Sequence, residues 1–321
     1  MLTYSVLLRT RFRGISVREG LVWPGAAGWG EFAPFDDYAD ADAVPWLHAA
    51  VEAADVGWPD PVRDSVPVNC TVPAVDPTRA HELVRAGHGC RTAKVKVAEP
   101  GQPLGNDIVR VEAVRDAIGP DGRVRVDANG AWGVDEATHA VRQLDRAAGG
   151  LEYVEQPCAT VEELADLRRR IDVPVAADES IRRAADPYRV RELDAADIAV
   201  LKVAPLGGVR ACLEIAERIG LPVVVSSVLE TSVGLAAGVA LAAALPELPY
   251  ACGLGTATLL AGDLTADPLL PVDGSLPVRA VSPTPAELDA ARADPETQRR
   301  WERRLAAVRA RAERTGQDRS T

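Results

Sequence analysis

Hydrophobic and polar positions follow two different rhythms along the chain. Over residues 1–65, TYSVLLRTRF and SVREGLVW alternate like strands, while DADAVPWLHAAVEAADVG has the longer period of a helix. GWGEFAPF lies between them, is rich in glycine, and is predicted to be a turn-rich linker. The first rhythm therefore predicts a small α+β capping domain over residues 1–65.

From Val66 onward, short β-rich runs alternate with amphipathic or alanine-rich helical segments. The predicted strands are VPVNCTV, RTAKVKV, RVRVD, LEYVE, VPVAAD, DIAVLK, LPVVVSS and PYACGL. Eight strands that alternate with helices predict a parallel sheet, and eight units favour a closed α/β barrel over an open sheet. We assign this barrel to residues 66–274.

The last part of the chain, TPAELDAARADPETQRRWERRLAAVRARAER, is predicted to be a helix that falls after the barrel. Its arginines could form a nucleic-acid patch, but Glu and Ala interleave them at helical spacing, which favours a solvated helix docked on the cap or barrel. We join residues 275–321, approximately, to the capping domain. The net charge of −11 and the isoelectric point near 5.0 also argue against a nucleic-acid partner.

Composition narrows the class of protein further. With 321 residues, 47 % of them hydrophobic, the chain can bury a large core. The five cysteines are scattered without a CxxC pair, which favours reduced core thiols over a disulfide framework or a zinc site. We see no signal peptide, and the apolar run VGLAAGVALAAALP is too short to span a bilayer, so we read it as a helix packed on a sheet. We expect a soluble cytoplasmic protein without a membrane partner.

Charged residues stand near the ends of five consecutive predicted strands, and these residues are Lys94, Lys96, Asp127, Glu155, Asp178 and Lys202. A barrel places the carboxyl ends of its strands on one rim, so these side chains should converge. Taken alone, each Asp could cap a helix and each Lys could be a solvated edge residue. Five successive charged ends favour a site, because barrel interiors are normally apolar.

Three carboxylates in one place need a cation to stay ionised. Oxygen ligands without His or Cys select a hard ion, which predicts Mg²⁺, with Mn²⁺ as a substitute. Such an ion would bind a substrate carboxylate and lower the cost of removing its α-proton. Lys94 and Lys96 share one face of their strand, so the Lys94 ammonium and the ion should lower the pKa of Lys96 and make it a usable base, with Lys202 facing it across the barrel.

Five segments carry a resemblance to a known family: AKVKV, VDANGAW, EYVEQP, ADES and LKVAPLGG. Their order and spacing, across residues 66 to about 260, resemble the muconate-lactonizing branch of the enolase superfamily. The resemblance implies a modified (β/α)7β barrel of the TIM type with an N-terminal cap. It also implies Mg²⁺ bound by Asp127, Glu155 and Asp178, with Lys96 and Lys202 as the catalytic lysines.

Within that branch, GWGEFAPF, VPVNCTVPAV, SSVLETSVG and GLGTATLLAGDL resemble the o-succinylbenzoate synthase family of menaquinone biosynthesis, particularly its short actinobacterial type. This resemblance implies a lyase that dehydrates a small-molecule substrate, a succinyl-bearing hydroxycyclohexadiene carboxylate. Lys96 would remove the α-proton and then protonate the departing hydroxyl, while Lys202 would stabilise the enediolate. We add Lys94, Asn129 and Arg125 as supporting residues, Arg125 because it should share the face of Asp127.

The cap is short, so the loops that contact the succinyl chain are expected to be reduced. Ser226 and Ser227, with the turn LETSVG, are candidates because hydroxyls and N–H groups at a helix start suit a carboxylate. Gly253 and Gly255 of CGLGT are further candidates. An ordinary helix cap explains the serines equally well.

Three other readings remain open. An N-acylamino-acid racemase or a dipeptide epimerase would use the same metal and lysines, although CGLGT lacks the acid that usually recognises the ammonium group of a dipeptide. A barrel aldolase would use Lys202 as a Schiff-base nucleophile. A non-catalytic barrel is a third reading, which the intact set of lysines and carboxylates disfavours.

Overall fold

The N-terminal cap is a three-stranded antiparallel sheet covered by a helix, in a computed structural model that describes residues 1–12 and 14–318. The strands, which neighbour one another in chain order, are β1 (Leu2–Phe12), β2 (Ile15–Pro24) and β3 (Trp29–Phe32). The helix α1 (Val44–Val51) continues into one π-helical turn over Glu52–Val56.

The prediction that GWGEFAPF is a turn-rich linker was wrong, because half of it is strand β3. Gly30 pairs with Trp23 of β2, and a Cβ at Gly30 would lie 2.2 Å from the carbonyl oxygen of Ala50 in α1. The glycine therefore serves the close approach of a helix to a strand and does not mark a turn.

The second part of the chain forms a curled sheet of seven parallel strands that are neighbours in chain order. These strands are β5 (Cys70–Val72), β6 (Thr92–Lys96), β7 (Arg123–Asp127), β8 (Tyr153–Glu155), β9 (Val175–Ala177), β10 (Ile198–Leu201) and β11 (Val223–Val225). A separate antiparallel pair joins β4 (Ser65–Pro67), which precedes β5 in the chain, with β12 (Ser275–Pro277). The strands β7 to β11 are almost wholly buried, as expected for a sheet that is covered by helices.

Closure of the barrel uses two single-residue bridges instead of the predicted eighth strand PYACGL. Cys252 pairs with Val68, just before β5, and Gly253 pairs with Ser226, just after β11. The Cys252 N–H donates to Pro67 at 2.7 Å and the Gly253 N–H donates to Val225 at 2.8 Å. The predicted α/β barrel with an N-terminal cap is confirmed, with its last strand reduced to this short contact.

Helices follow the strands around the outside of the barrel. They are α2 (Pro77–Arg85), α3 (Leu104–Ile118), α4 (Val134–Ala148), α5 (Val161–Arg168), α6 (Glu179–Arg182), α7 (Arg189–Glu192), α8 (Val203–Leu206), α9 (Val209–Ile219) and α10 (Ser232–Ala244), with a 3₁₀ turn at Gly255–Leu259. The apolar run from Val233 is helical, as predicted. Within the described part of the chain, none of the helices combines the length and apolar character that crossing a bilayer requires.

The C-terminal segment forms two helices where the sequence predicted one, α11 (Pro285–Ala290) and α12 (Pro295–Asp318). The break between the two helices has a local cause at the start of α12. The Asp294 carboxylate accepts hydrogen bonds from the N–H groups of Glu296 and Thr297, and Pro295 is the first residue of the helix. Helix α12 docks on the cap, where Trp301 meets the ring of Phe32 edge to face at 6.2 Å. Helix α12 therefore packs against the cap in this structure.

The five cysteines are unpaired and four of them are buried, as predicted. Burial raises the pKa of the Cys70 thiol to about 12 and that of the Cys252 thiol to about 11. These thiols therefore behave as small core side chains.

Glu31 of β3 ties the cap to the barrel. Its carboxylate accepts hydrogen bonds from the Tyr4 hydroxyl, from the N–H and hydroxyl of Thr231, and from the Gly234 N–H. Burial raises the pKa of Glu31 to about 7, although these donors and Arg18 oppose the shift. The folded protein therefore holds a proton on Glu31 over a pH range in which the unfolded chain has released it.

This raised pKa predicts a specific loss of stability with rising pH. The contribution of the Glu31 proton is fully present below the unfolded pKa of 4.5 and is lost as the pH rises through about 7. A shift of this size corresponds to about 3 kcal/mol of unfolding free energy. We expect urea unfolding to show wild type losing stability between pH 5 and pH 8 relative to Glu31→Gln. Parallel pH profiles for the two proteins would contradict this role.

Candidate active site

The register of the parallel sheet brings the predicted acids and lysines to one mouth of the barrel. Lys96 on β6 is paired with Asp127 on β7, and Asp127 is paired with Glu155 on β8. Asp178 and Lys202 directly follow β9 and β10, and the Lys202 ammonium donates to the Asp178 carboxylate at 2.6 Å. Equivalent positions on neighbouring strands thus place all these side chains at the same end of the barrel interior.

Lys94 bridges two of the carboxylates. Its ammonium lies 3.2 Å from Asp127 Oδ2 and 2.8 Å and 3.0 Å from the two oxygens of Glu155, and both acids are fully buried. Burial acts to lower the pKa of Lys94, but Glu155 and Asp127 outweigh it and hold that pKa above its usual range. Lys94 is therefore a fixed cation that neutralises the acids.

Lys96 has the opposite electrostatic character. Its ammonium lies 2.5 Å from Asp127 Oδ2 and 2.7 Å from Asn129 Oδ1. Burial lowers the pKa of Lys96, and Asp127 opposes the shift, while the ammonium groups of Lys94 and Lys202 reinforce it. The lowered pKa is the direction that the sequence predicted, but burial contributes more than the neighbouring lysine. Lys96 is therefore better suited than Lys94 to exist as a free amine.

Asp178 is held by two cations from opposite sides. Lys202 contacts its Oδ2, and Arg182, four residues later on α6, contacts its Oδ1 at 2.8 Å. Burial acts to raise the pKa of Asp178, but Lys202 and Arg182 hold it well below its usual range. Arg182 also donates to Glu179 at 2.6 Å and to the hydroxyl of Tyr38 in the cap. This arginine therefore connects the cap to one of the predicted metal ligands.

The donor set fits a hard divalent cation. Asp127, Glu155 and Asp178 are fully buried and offer only oxygen atoms. Burial and the charge of Asp127 raise the pKa of Glu155 to about 7, a shift that a bound cation would oppose. In addition, Oε2 of Glu179 is buried and has no hydrogen-bond partner among the described residues.

The ammonium groups stand between the carboxylates, so that no three Asp, Glu, His or Cys side chains in the described ranges are grouped as ligands of one ion. The oxygens that a cation would use are those that the lysines now contact. The chemistry of the residues fits a metal ion. The lysine ammonium groups would have to move away from these oxygens for the ion to bind.

A narrow cavity opens above this cluster, between the barrel and the cap. Lys94, Lys96, Asn129 and Lys202 line one part of it. The cap contributes Phe12 and Phe35, and the barrel adds Thr71, Ser226, Ser227, Val228, Leu229, Gly253 and Thr256. We call Phe35, Val228 and Leu229 the side wall. Since β11 and the closing bridge lie across the barrel from β8, the side wall faces the carboxylates from the opposite side.

The candidates for binding a distal carboxylate differ in their placement. Ser226 and Gly253 line the cavity and are in contact, because a Cβ on Gly253 would lie 2.5 Å from Ser226 Oγ. Ser227 also lines it, but its hydroxyl is bonded within the loop to Glu230 at 2.6 Å. Gly255 does not line the cavity. It packs against the backbone carbonyl of Asn69, the residue just before β5.

Arg125 points into the barrel but lies one layer below the acids. Its guanidinium bonds to Glu152 and to the carbonyl of Ala251 at 2.7 Å, and it stacks over the ring of Tyr153 at 4.6 Å. It is fully buried and does not line the cavity. Its place suits support of the barrel interior, and the structure gives it no contact with Asp127.

Sequence reasoning missed several residues of the site. Arg182 stands four residues after Asp178, a spacing that brings opposite charges together on a helix. This contact could therefore have been predicted from the sequence. Phe12, which lies 5.7 Å from the Lys96 ammonium, and Phe35 had none, because only docking of the cap brings them to the barrel mouth.

Comparisons with known proteins agree with this geometry. The family model described as enolase C-terminal domain-like matches residues 78–285, and the model described as enolase N-terminal domain-like matches residues 3–54. The o-succinylbenzoate synthase of Thermobifida fusca (strain YX) is 64 % identical over 307 residues, which cover 96 % of this chain and 95 % of the relative. That of Mycolicibacterium smegmatis is 57 % identical over 294 residues, covering 92 % and 90 %.

Solved structures share the fold at lower identity. The L-Ala-D/L-Glu epimerase from Bacillus subtilis superposes with a TM-score of 0.75 at 23 % identity, over 88 % of this chain and 95 % of the other. The muconate lactonizing enzyme from Pseudomonas putida gives 0.76 at 21 % identity, over 91 % and 98 %. These likenesses support the capped barrel and carry no information on the reaction.

The double contact of Arg182 predicts an effect on metal binding. Arg182→Met removes the bond that holds Asp178 Oδ1, so we expect the affinity for Mg²⁺ or Mn²⁺ to fall by about 10- to 100-fold. Isothermal titration of metal-stripped protein measures this without any assay of turnover. Arg183→Met is the matched control, because Arg183 bonds to Asp37 and stacks on Tyr38 without touching Asp178. Unchanged or tighter metal binding in Arg182→Met would contradict the positioning role.

Proposed function

We propose a mechanism for the three carboxylates and three lysines from the premise that this chain belongs to the o-succinylbenzoate synthase family of the enolase superfamily. The activity is that of a carbon–oxygen lyase in menaquinone biosynthesis. It dehydrates 2-succinyl-6-hydroxy-2,4-cyclohexadiene-1-carboxylate to o-succinylbenzoate. The observation that carries the mechanism is the contrast between two lysines on one strand. The Lys94 ammonium is bonded to two carboxylates, whereas the Lys96 ammonium is bonded to one carboxylate and to a neutral amide, and its pKa is lowered by burial.

Lys96 acts first as a base. As a neutral amine it takes the proton from the carbon that bears the ring carboxylate, and the electrons of that C–H bond move into an enediolate. The resulting ammonium then gives the same proton to the departing hydroxyl as the C–O bond breaks. Water leaves, the ring becomes aromatic, and Lys96 returns to its neutral form. One residue on one face of the ring performs both transfers, which makes the elimination syn.

Lys202 and Lys94 stabilise charge and do not transfer protons. Lys202 lines the cavity and is held by Asp178, so its ammonium can face the ring from the side opposite Lys96 and stabilise the enediolate. Lys94 is tied to Glu155 and Asp127 and keeps two acids close together. Asn129 links the site by accepting from Lys96 and donating to Glu179 at 3.2 Å.

Enolase superfamily enzymes use a divalent metal, and we assign this metal here as Mg²⁺ with Asp127, Glu155 and Asp178 as its ligands. When bound, the ion supplies Lewis-acid stabilisation of the negative charge that develops on the substrate carboxylate. The support for the assignment is a buried donor set of three carboxylates that offers oxygen atoms alone.

A direct assay tests the function. Wild type should form o-succinylbenzoate in the presence of Mg²⁺, and EDTA should abolish the reaction until Mg²⁺ is restored. Racemization of an N-succinylamino acid, run in parallel, measures the sister activity with the same enzyme preparation. Racemization without any dehydration would reassign the reaction, and borohydride trapping of substrate on Lys202 would reassign the chemistry to a Schiff base.

Substitution of the base should stop both proton steps. Lys96→Ala should lower the rate of α-proton exchange into deuterated solvent and the rate of dehydration by at least about 10³-fold, because it removes the only proposed acid and base. The variant should still fold and bind Mg²⁺. Deuterium uptake into unreacted substrate, followed by NMR, reports the first step alone. Substantial turnover by Lys96→Ala would refute the role of Lys96.

A further inference from the structure

Arg18 is a buried cation that no described carboxylate pairs with directly. It lies on β2 in the cap and is 2 % exposed, and its hydrogen bonds go to backbone carbonyls. Glu31 is near enough for Arg18 to lower its pKa, but the Glu31 carboxylate is bonded to other donors. A buried guanidinium is costly unless all its donors are used, so its contacts indicate what it holds in place.

These contacts converge on the side wall of the cavity. The guanidinium donates to the carbonyl of Leu229 at 3.0 Å and more weakly to that of Val228 at 3.5 Å. It also donates to the carbonyl of Ala33 and lies over the ring of Phe35, 4.4 Å from its centre. One residue of the cap thus fixes both the cap half and the barrel half of this wall.

The barrel half needs such a restraint because its backbone is strained. Leu229 has a φ of +65°, in the left-handed region that side chains other than glycine rarely adopt. Its N–H is bonded to Ser227 Oγ at 2.7 Å, and the Val228 N–H is bonded to Glu230 at 2.9 Å. Arg18 holds the carbonyl groups of the same two residues, so the loop is fixed from both sides.

The position of the wall indicates which part of the substrate it meets. The ring carboxylate must reach the lysines and acids supplied by β6 to β10, and the side wall stands across the barrel from β8. On the proposed mechanism, the part of the substrate that extends away from the reacting carbon would therefore reach toward the side wall. The wall can influence how well the distal chain binds without touching the atoms that exchange a proton.

We propose that Arg18 is a positioning residue that shapes the side wall to accept the succinyl chain, and so determines specificity for the distal part of the substrate. This inference rests on the proposed function. It assigns to a residue outside the cavity a role in discrimination between ligands that share the ring carboxylate and differ in the chain.

The test compares two ligands on Mg²⁺-loaded enzyme, o-succinylbenzoate and benzoate, by isothermal titration. Arg18→Met keeps the length of the side chain and removes the donors. We expect o-succinylbenzoate to bind at least about tenfold more weakly, and benzoate to change by less than about twofold. In turnover, KM should rise while kcat stays within about threefold, because the proton-transfer groups are untouched.

Two further variants keep the result interpretable. Arg9→Met is the control, since exposed Arg9 makes one hydrogen bond of the same kind from the cap to the barrel, to the carbonyl of Leu260 at 2.9 Å, and does not touch the side wall. Arg18→Lys retains the charge without the fork of donors and should lose selectivity to an intermediate degree. If Arg18→Met fails to fold, the comparison of the two ligands is made on Arg18→Lys.

Equal weakening of both ligands, or no weakening of either, would overturn the inference. Failure of the proposed function has a different signature, since wild type would then not form o-succinylbenzoate at all. If wild type is active and prefers o-succinylbenzoate to benzoate, and the Arg18 variants prefer it to the same extent, only the role of Arg18 is lost.

Discussion

The mutual neutralisation of buried acids and lysines is the constraint on which the site depends. Asp127, Glu155 and Asp178 are wholly buried, and each is in contact with at least one lysine. Neither set could be buried alone, since an isolated charge in a low-dielectric interior would neutralise itself by exchanging a proton. The arrangement leaves one lysine, Lys96, with a lowered pKa, and this imbalance gives the cluster its chemical use.

The fold supplies this constraint through strand register and through the cap. Parallel pairing sets Lys96 beside Asp127 and Asp127 beside Glu155. The cap then closes the mouth. Its Glu52 carboxylate accepts from the N–H groups of Val209 and Arg210 at the start of α9, a contact that Gly208, with its φ of +126°, leaves room for. The barrel places the chemistry, and the cap completes its enclosure.

Much of this could be predicted from sequence, because strand ends have strong local signals. Asp127, Glu155, Asp178 and Lys202 were identified from the repeat of about one strand-plus-helix unit, and the structure brings them together. Contacts that depend on the docking of the cap leave no local signal in the sequence. Gly30 was predicted to lie in a turn because Ala50, the residue it packs against, is distant in the chain. The prediction of an eighth strand was wrong because two bridges are enough to close the barrel.

The contact of Arg304 with the cap has a consequence for the order in which the enzyme is built. Helix α12 reaches back to the loop before α1, where Arg304 donates to the carbonyls of Pro34, Phe35 and Tyr38. In the order of synthesis, the cap precedes the barrel and helix α12 follows it. The hold of Arg304 on the cap loop can therefore form only after the whole barrel between them has been synthesised.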